Sequence, residues 1–230
     1  MSTRTDRSCS SLPLAALVAT AAAALALAFA GGHTAEGHSD GHATAAKHGV
    51  TAKRLALHDG LRRLWEDHIT WTRLFIVSAS ADLPDKQATT ERLLLNQKHI
   101  GDAIKPYYGR AAGARLTALL REHILVAADL LGAAKAGDQP GVERHSATWY
   151  RNGDEIADFL NQANPRNWKR GEMRSMMREH LDLTLAEAVA HLQNDHRTDI
   201  RSYDRIHRQI LHMADMLSDG IVEQFPRRFR

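Results

Sequence analysis

The chain has 230 residues, enough for one ordinary domain or two small ones. It is 43% hydrophobic and 25% charged, which excludes wholesale disorder and fibrous repeats, and its abundance of Ala and Leu favours helix over strand. A net charge of +3 is far below the concentrated positive charge of a nucleic-acid-binding protein, so we expect no nucleic-acid partner.

The first thirty residues have the pattern of an export signal. A positively charged start is followed by an apolar run from Leu12 to Ala30, which ends with small residues at both positions that signal peptidase reads. We therefore predict a signal peptide over residues 1–30, cleaved before Gly31, and an exported protein that is periplasmic or secreted. The alternative is an uncleaved membrane anchor, because about 18 apolar residues just span a bilayer.

Cleavage of this signal removes Cys9, which is the only cysteine of the chain. The mature protein would then have no thiol and no integral membrane span. Disulfides, thiolate metal sites and cysteine nucleophiles are therefore excluded, and the fold has to be held together by its core.

Residues 31–50 consist mainly of Gly, Ala, Ser, Thr and His and cannot bury an apolar face, so we predict a flexible tail. The histidines of this tail are His33, His38, His42 and His48. Such a tract is expected to collect transition-metal ions weakly. The alternative is a soluble linker whose histidines have no role.

From residue 51 onward, apolar residues recur every three or four positions, which predicts amphipathic helices separated by Pro, Gly and Asp. We predict six helices, over about 51–80, 86–105, 111–136, 140–162, 171–194 and 196–223. Pro106 is expected to end the second helix. No repeated unit is visible. The pattern predicts an all-α fold, a single-domain up-and-down bundle of about six helices over residues 51–225, followed by a basic C-terminal tail at 226–230.

Seven short stretches beyond Leu64 carry a resemblance. They are LWEDHITWTR, KPYYG, LLREHI, DEIADFL, REHLDLT, SYDRIH and MLSDGIVEQF. With these motifs the chain resembles a family of small, helix-rich bacterial proteins with no established activity. The resemblance implies a shared helical fold and no particular reaction.

Five histidines lie close to the midpoints of predicted helices. Antiparallel helices of similar length keep their midpoints level, so residues that face inward there meet in one layer. Those on the apolar faces are His68, His123, His180 and His207, and His99 lies at the edge of its face. We predict that the first four share one layer in the middle of the bundle.

Neutral imidazoles in an apolar layer are hard to satisfy by bonding to one another, and protonating them there is costly. A divalent metal ion solves this problem, because neutral imidazole is a common metal ligand. The predicted ligands are His68, His123, His180 and His207, with Asp204, His99 and Glu122 as further candidates. The residue types suit Zn, Cu, Fe or Ni. The alternative for each histidine is a core residue that is hydrogen-bonded to a neighbour.

Two other metal chemistries are weaker alternatives. Asp204 and His207 have the spacing of a di-iron carboxylate motif, but only one such pair exists, which favours a site for one ion. Methionines on the last two helices would suit copper(I), although methionine at helical spacing more often fills gaps in a core. They are Met173, Met176, Met177, Met213 and Met216.

Three functions follow from this pattern. The leading one is an exported protein that binds a transition metal through mid-bundle histidines, with the tail as a weak collector. The second is a metal-free bundle that acts in protein interaction or in association with the cell envelope. The third is a metal-dependent enzyme of unknown substrate, which needs an open coordination position and a general base such as Glu122 or Asp204.

Overall fold

The computed structural model describes residues 51–230, and this part of the chain is helical, with no β-strand within it. The helices are α1 (Ala52–Ser80), α2 (Lys86–Ala136), α3 (Gln139–Ala163), α4 (Arg170–Leu192) and α5 (His196–Gln224), followed by a 3-10 turn at Pro226–Phe229. The predicted all-α bundle is confirmed. The predicted signal peptide and histidine-rich tail lie outside the described residues.

The helix ends agree with the sequence at most boundaries because local signals set them. The side chain of Thr51 caps α1, that of Asp138 caps α3, and that of Asp195 caps α5. None of the helices in the described range has both the length and the apolar composition needed to cross a membrane. The predicted basic tail forms the 3-10 turn, and its Phe229 is buried in the core.

The prediction of six helices is wrong by one, because the second and third predicted segments both belong to α2. Pro106 lies inside α2, and the chain turns instead at Gly109, where φ is 87°. A Cβ atom added to Gly101 would lie 2.6 Å from the carbonyl oxygen of Gly113. In a straight helix these two residues would be about 18 Å apart, so α2 folds back on itself as two packed arms.

The described chain is therefore built from three consecutive helical hairpins. Hairpin 1 consists of α1 and the first arm of α2, hairpin 2 of the second arm and α3, and hairpin 3 of α4 and α5. Each hairpin has a buried histidine in its first helix and a buried amide side chain 29 residues later in its second. The pairs are His68 with Gln97, His123 with Asn152, and His180 with Gln209.

Apolar positions repeat around the three histidines as well. A buried residue lies seven positions before each histidine and another lies one position after it. These residues are Leu61 and Ile69, Leu116 and Ile124, and Met173 and Leu181. Residues 51–230 thus contain an internal threefold repeat, which was not predicted from the sequence.

A candidate metal centre in the histidine layer

Three of the four histidines predicted to share a layer are buried together. His68, His123 and His180 are 3%, 3% and 4% exposed and come from α1, α2 and α4. The ring centroids of His68 and His180 are 5.6 Å apart. We call these three residues the histidine layer.

The other predicted ligands are not brought to this layer. His207 is partly exposed, and its Nε2 lies 2.8 Å from Oε1 of Glu66 at the surface. The remaining candidates are all exposed: Asp204, His99 and Glu122.

The face that α5 presents to the core explains the position of His207. Ile206, Ile210 and Met213 are buried, whereas Ile200 is 53% exposed. The buried face is rotated from the predicted one, and Gln209 rather than His207 reaches the layer.

In hairpins 2 and 3 an amide oxygen lies against Nδ1 of the histidine. The distances are 3.0 Å from His123 Nδ1 to Asn152 Oδ1, and 3.3 Å from His180 Nδ1 to Gln209 Oε1. An amide oxygen only accepts hydrogen bonds, so both Nδ1 atoms carry the proton and both Nε2 atoms are bare. Within residues 51–230, no hydrogen bond reaches either Nε2 atom.

The orientation of these amides is fixed by a second hydrogen bond. Asn152 donates to the carbonyl of Leu119, and Gln209 donates to the carbonyl of Met176. Each carbonyl belongs to the residue four positions before the histidine. The backbone of the first helix of the hairpin therefore fixes the orientation of the amide, and the amide fixes the tautomer of the imidazole.

In hairpin 1, the contact with the helix carbonyl and the contact with the histidine are made by two different amide side chains. Asn96 donates to the carbonyl of Leu64, and the NH2 group of its neighbour Gln97 lies 3.2 Å from His68 Nδ1. In this orientation His68 Nδ1 accepts a hydrogen bond, so its proton is on Nε2. Gln97 is fully buried, and its Oε1 has no partner among the described residues. The NH2 group of Gln97 also donates to the carbonyl of Leu93 at 3.0 Å and to Oδ1 of Asn96 at 3.1 Å, and these bonds fix the orientation of the amide.

Burial keeps all three imidazoles neutral. It lowers the pKa of His123 to about 3 and that of His180 to about 4, although the amide hydrogen bonds oppose this shift. Burial and the neighbouring His180 and His123 hold the pKa of His68 well below its ordinary value. Neutral imidazole is the form that binds metal ions.

Two buried indole N–H groups adjoin the layer without a partner in the described range. Trp65 contacts His68 edge to face at 5.7 Å, and Trp149 stacks on His123 at 5.3 Å, both between ring centroids. Buried donors without a partner are rare in native cores and commonly mark a place for water or an ion. The layer thus combines bare acceptors with unpaired donors.

The three imidazoles are not yet at coordinating distances from one another. Among residues 51–230, a single group offers three donor atoms that all lie within 4.8 Å of each other: His191, His196 and Asp199. The sequence analysis did not identify this group, because its members come together only across the turn between α4 and α5. A metal ion in the histidine layer would have to draw the three rings inward.

The methionines considered for copper(I) pack as core residues. Met173, Met177 and Met213 are buried in the main apolar cluster, and Met176 and Met216 pack against it. This placement agrees with gap-filling.

Comparisons with known protein families, with curated proteins and with solved structures found no match to this chain. The resemblance to helix-rich bacterial proteins therefore stays a prediction, and function has to be argued from the sites themselves.

Proposed function

We propose that the protein binds a divalent transition-metal ion in the histidine layer, with His68, His123 and His180 as its protein ligands. The observation that carries this proposal is the repeated anchoring of a buried histidine by an amide in every hairpin. Metal-binding histidines almost always have the ring nitrogen that faces away from the metal engaged by a hydrogen bond. In His123 and His180 the Nδ1 atom is engaged and Nε2 is left for the ion.

Packing alone does not explain why a buried histidine–amide pair occurs in each hairpin. Burying polar groups costs free energy even when they are bonded, and well-packed apolar residues of similar volume are often as stable. Each hairpin nevertheless places a histidine and an amide at the same depth. A metal ion bound by all three histidines would explain why the histidine–amide pair occurs in each hairpin.

Zn, Cu, Fe and Ni are the candidate ions, and three neutral imidazoles suit Zn²⁺ with a fourth position left open. To bind the ion through Nε2, His68 would have to move its proton from Nε2 to Nδ1. Gln209, which holds His180, also lines a surface depression with Glu179 and His212. At this depression, the side chain of Gln209 alone separates His180 from solvent.

The rest of the proposal concerns residues outside the described range. We propose that the first thirty residues direct export and that the histidine-rich tail collects metal ions for the bundle. Under this proposal the open fourth position also allows a metal-dependent reaction, for which no substrate is identified.

The test uses the full chain with His33, His38, His42 and His48 replaced by alanine, here called the tail variant. Zinc should raise its melting temperature and EDTA should lower it, because an ion that binds only the folded state stabilises it by about 2.7 kcal/mol at 100 times its Kd. His123→Gln in this background should remove one bound zinc, as measured by elemental analysis.

His212→Ala, at an exposed position on α5, is the matched control and should leave the zinc content unchanged. Circular dichroism checks that His123→Gln still folds. If His123→Gln folds and keeps the full zinc content, the histidine layer does not bind metal, and the metal-free interaction bundle becomes the better explanation of the fold.

A further inference from the structure

A second cluster of donors lies at the turn that joins α4 to α5, away from the midpoints of the helices. His191 is in the last turn of α4, His196 is the first residue of α5, and Asp199 lies one turn further on. Asn194 adopts a left-handed conformation between them, with φ at 59°, which Asn tolerates better than most residues. This tight turn brings the three side chains to one place.

The geometry of the cluster is close to that of a metal site. One donor atom from each of the three residues lies within 4.8 Å of the other two. Nδ1 of His191 is 3.0 Å from Oδ2 of Asp199, and the two imidazole centroids are 5.8 Å apart. Asp199 is buried, His191 is largely buried and His196 is exposed, so one side of the cluster is dry and the other is open to solvent.

The charges behind the cluster do not balance. The carboxylates of Glu187 and Asp199 are each only 3% exposed and lie against the same guanidinium, that of Arg73, at 2.6 Å. One guanidinium thus serves two buried carboxyl groups, and burial raises the pKa of Glu187 to about 7. A second cation beside this pair would stabilise both groups in their charged form.

We infer that His191, His196 and Asp199 form a second metal site, one that takes a divalent ion of the Zn²⁺ and Fe²⁺ class and leaves at least one coordination position to solvent. Two imidazoles and one carboxylate are a donor set that zinc and non-haem iron sites use with open positions. The ion replaces the hydrogen bond between His191 and Asp199, and the proton that Nδ1 of His191 donates to the carboxylate moves to Nε2, so the imidazole stays neutral. Arg73 keeps the carboxylate in place.

This site is independent of the histidine layer, because the two share no residue. Its ion adds positive charge beside the buried carboxyl groups of Glu187 and Asp199. Its exposed ligand, His196, also lets the ion enter without opening the core.

Zinc sulfate alone, titrated calorimetrically into the tail variant, tests the inference. His196→Ala removes an exposed ligand and should fold normally, yet it should lose one bound zinc or weaken its binding by more than the roughly 10- to 100-fold that is typical for loss of an outer-shell partner. Asp199→Asn keeps the size of the side chain while removing its charge, and it should weaken the same binding event. Cobalt in place of zinc should give an absorption spectrum that changes in both variants.

The controls separate this site from the histidine layer and from surface histidines. His212→Ala should leave the zinc titration unchanged, and His123→Gln should leave the ion at the turn in place while affecting the layer alone. If His196→Ala and Asp199→Asn titrate like the tail variant, or if His212→Ala loses as much zinc as they do, no metal site exists at this turn.

Discussion

At the residue scale, the unusual groups are amides rather than histidines. Asn152 uses its NH2 group on a helix carbonyl and its oxygen on His123, so every polar atom of the pair except Nε2 has a partner. Gln209 does the same for His180. The position of the proton on each of these two imidazoles is thus decided, through the amide, by the backbone of the histidine's own helix.

The pH dependence of stability follows from the low pKa values of the layer. An unfolded histidine titrates near 6.5, whereas His123 and His180 take up protons in the fold only near 3 and 4. Below pH 6.5 the unfolded state therefore binds more protons, and the free energy of unfolding falls by about 1.4 kcal/mol for each histidine and for each pH unit of acidification. The stability that the two neutral histidines contribute is fully present above pH 6.5, and it is lost progressively as the pH falls to their pKa values in the folded protein.

Urea denaturation from pH 4.5 to 7.5 in the presence of EDTA measures this slope. His180→Gln should reduce it by about 1.4 kcal/mol per pH unit below 6.5, whereas His212→Gln, at an exposed site, should not change it. The comparison between variants cancels the opposite contribution of Glu187, whose pKa burial raises to about 7. Equal slopes in all three proteins would show that the layer is not kept neutral.

At the element scale, the fold-back of α2 depends on the absence of side chains where its arms meet. A Cβ on Gly101 would lie 2.0 Å from Oγ1 of Thr117, and one on Gly113 would lie 2.5 Å from the carbonyl oxygen of Gly101. Glycine at both positions allows the two backbones to approach this closely. The turn itself needs the positive φ of Gly109.

Gly101→Ala should therefore destabilise the protein by about 1–3 kcal/mol, since the added methyl group overpacks a backbone contact. Gly132→Ala is the matched control in the same helix, because nothing lies within 4 Å of its added Cβ. That variant should gain up to about 1 kcal/mol from the higher helix propensity of alanine. Thermal denaturation measures both, and a neutral Gly101→Ala would mean that the arms separate in solution.

At the scale of the whole molecule, equivalent positions also join the hairpins to one another. Arg62 lies six positions before His68 and pairs with Asp215 of hairpin 3 at 2.6 Å. Arg174 has the same spacing before His180 and pairs with Asp158 of hairpin 2 at 2.7 Å. At the third junction, between hairpins 1 and 2, Thr117 occupies the equivalent position and packs against Gly101 instead.

Hairpins arranged in this way depend on each other for burial, so we expect the bundle to unfold in one transition. A chain lacking hairpin 3, residues 166–230, loses one wall of the shared core and should show no cooperative melting by circular dichroism. A chain lacking residues 1–48 keeps the compact unit from Gly49 to Arg230 and should melt cooperatively. A cooperative transition in the first of these chains would mean that the hairpins are independent units.

The helical class, most helix ends and the meeting of His68, His123 and His180 were determined by the sequence alone. Apolar period, capping residues and Gly or Pro punctuation are local, and residues at the midpoints of antiparallel helices meet at one level whatever the details of packing. The same reasoning failed for His207. The last helix has apolar residues on two adjacent faces, and it buries the face that the neighbouring helices cover. The periodicity of the sequence does not show which of the two faces this is.

The remaining features were decided by the tertiary structure. The reversal at Gly109 requires the close contact of two helix arms, and the pairing of each histidine with an amide 29 residues away requires two helices to pack in register. His191, His196 and Asp199 converge only across a turn, with Arg73 arriving from α1. Local pattern selects which segments are helical, whereas contacts between segments distant in sequence decide which polar side chains share a site.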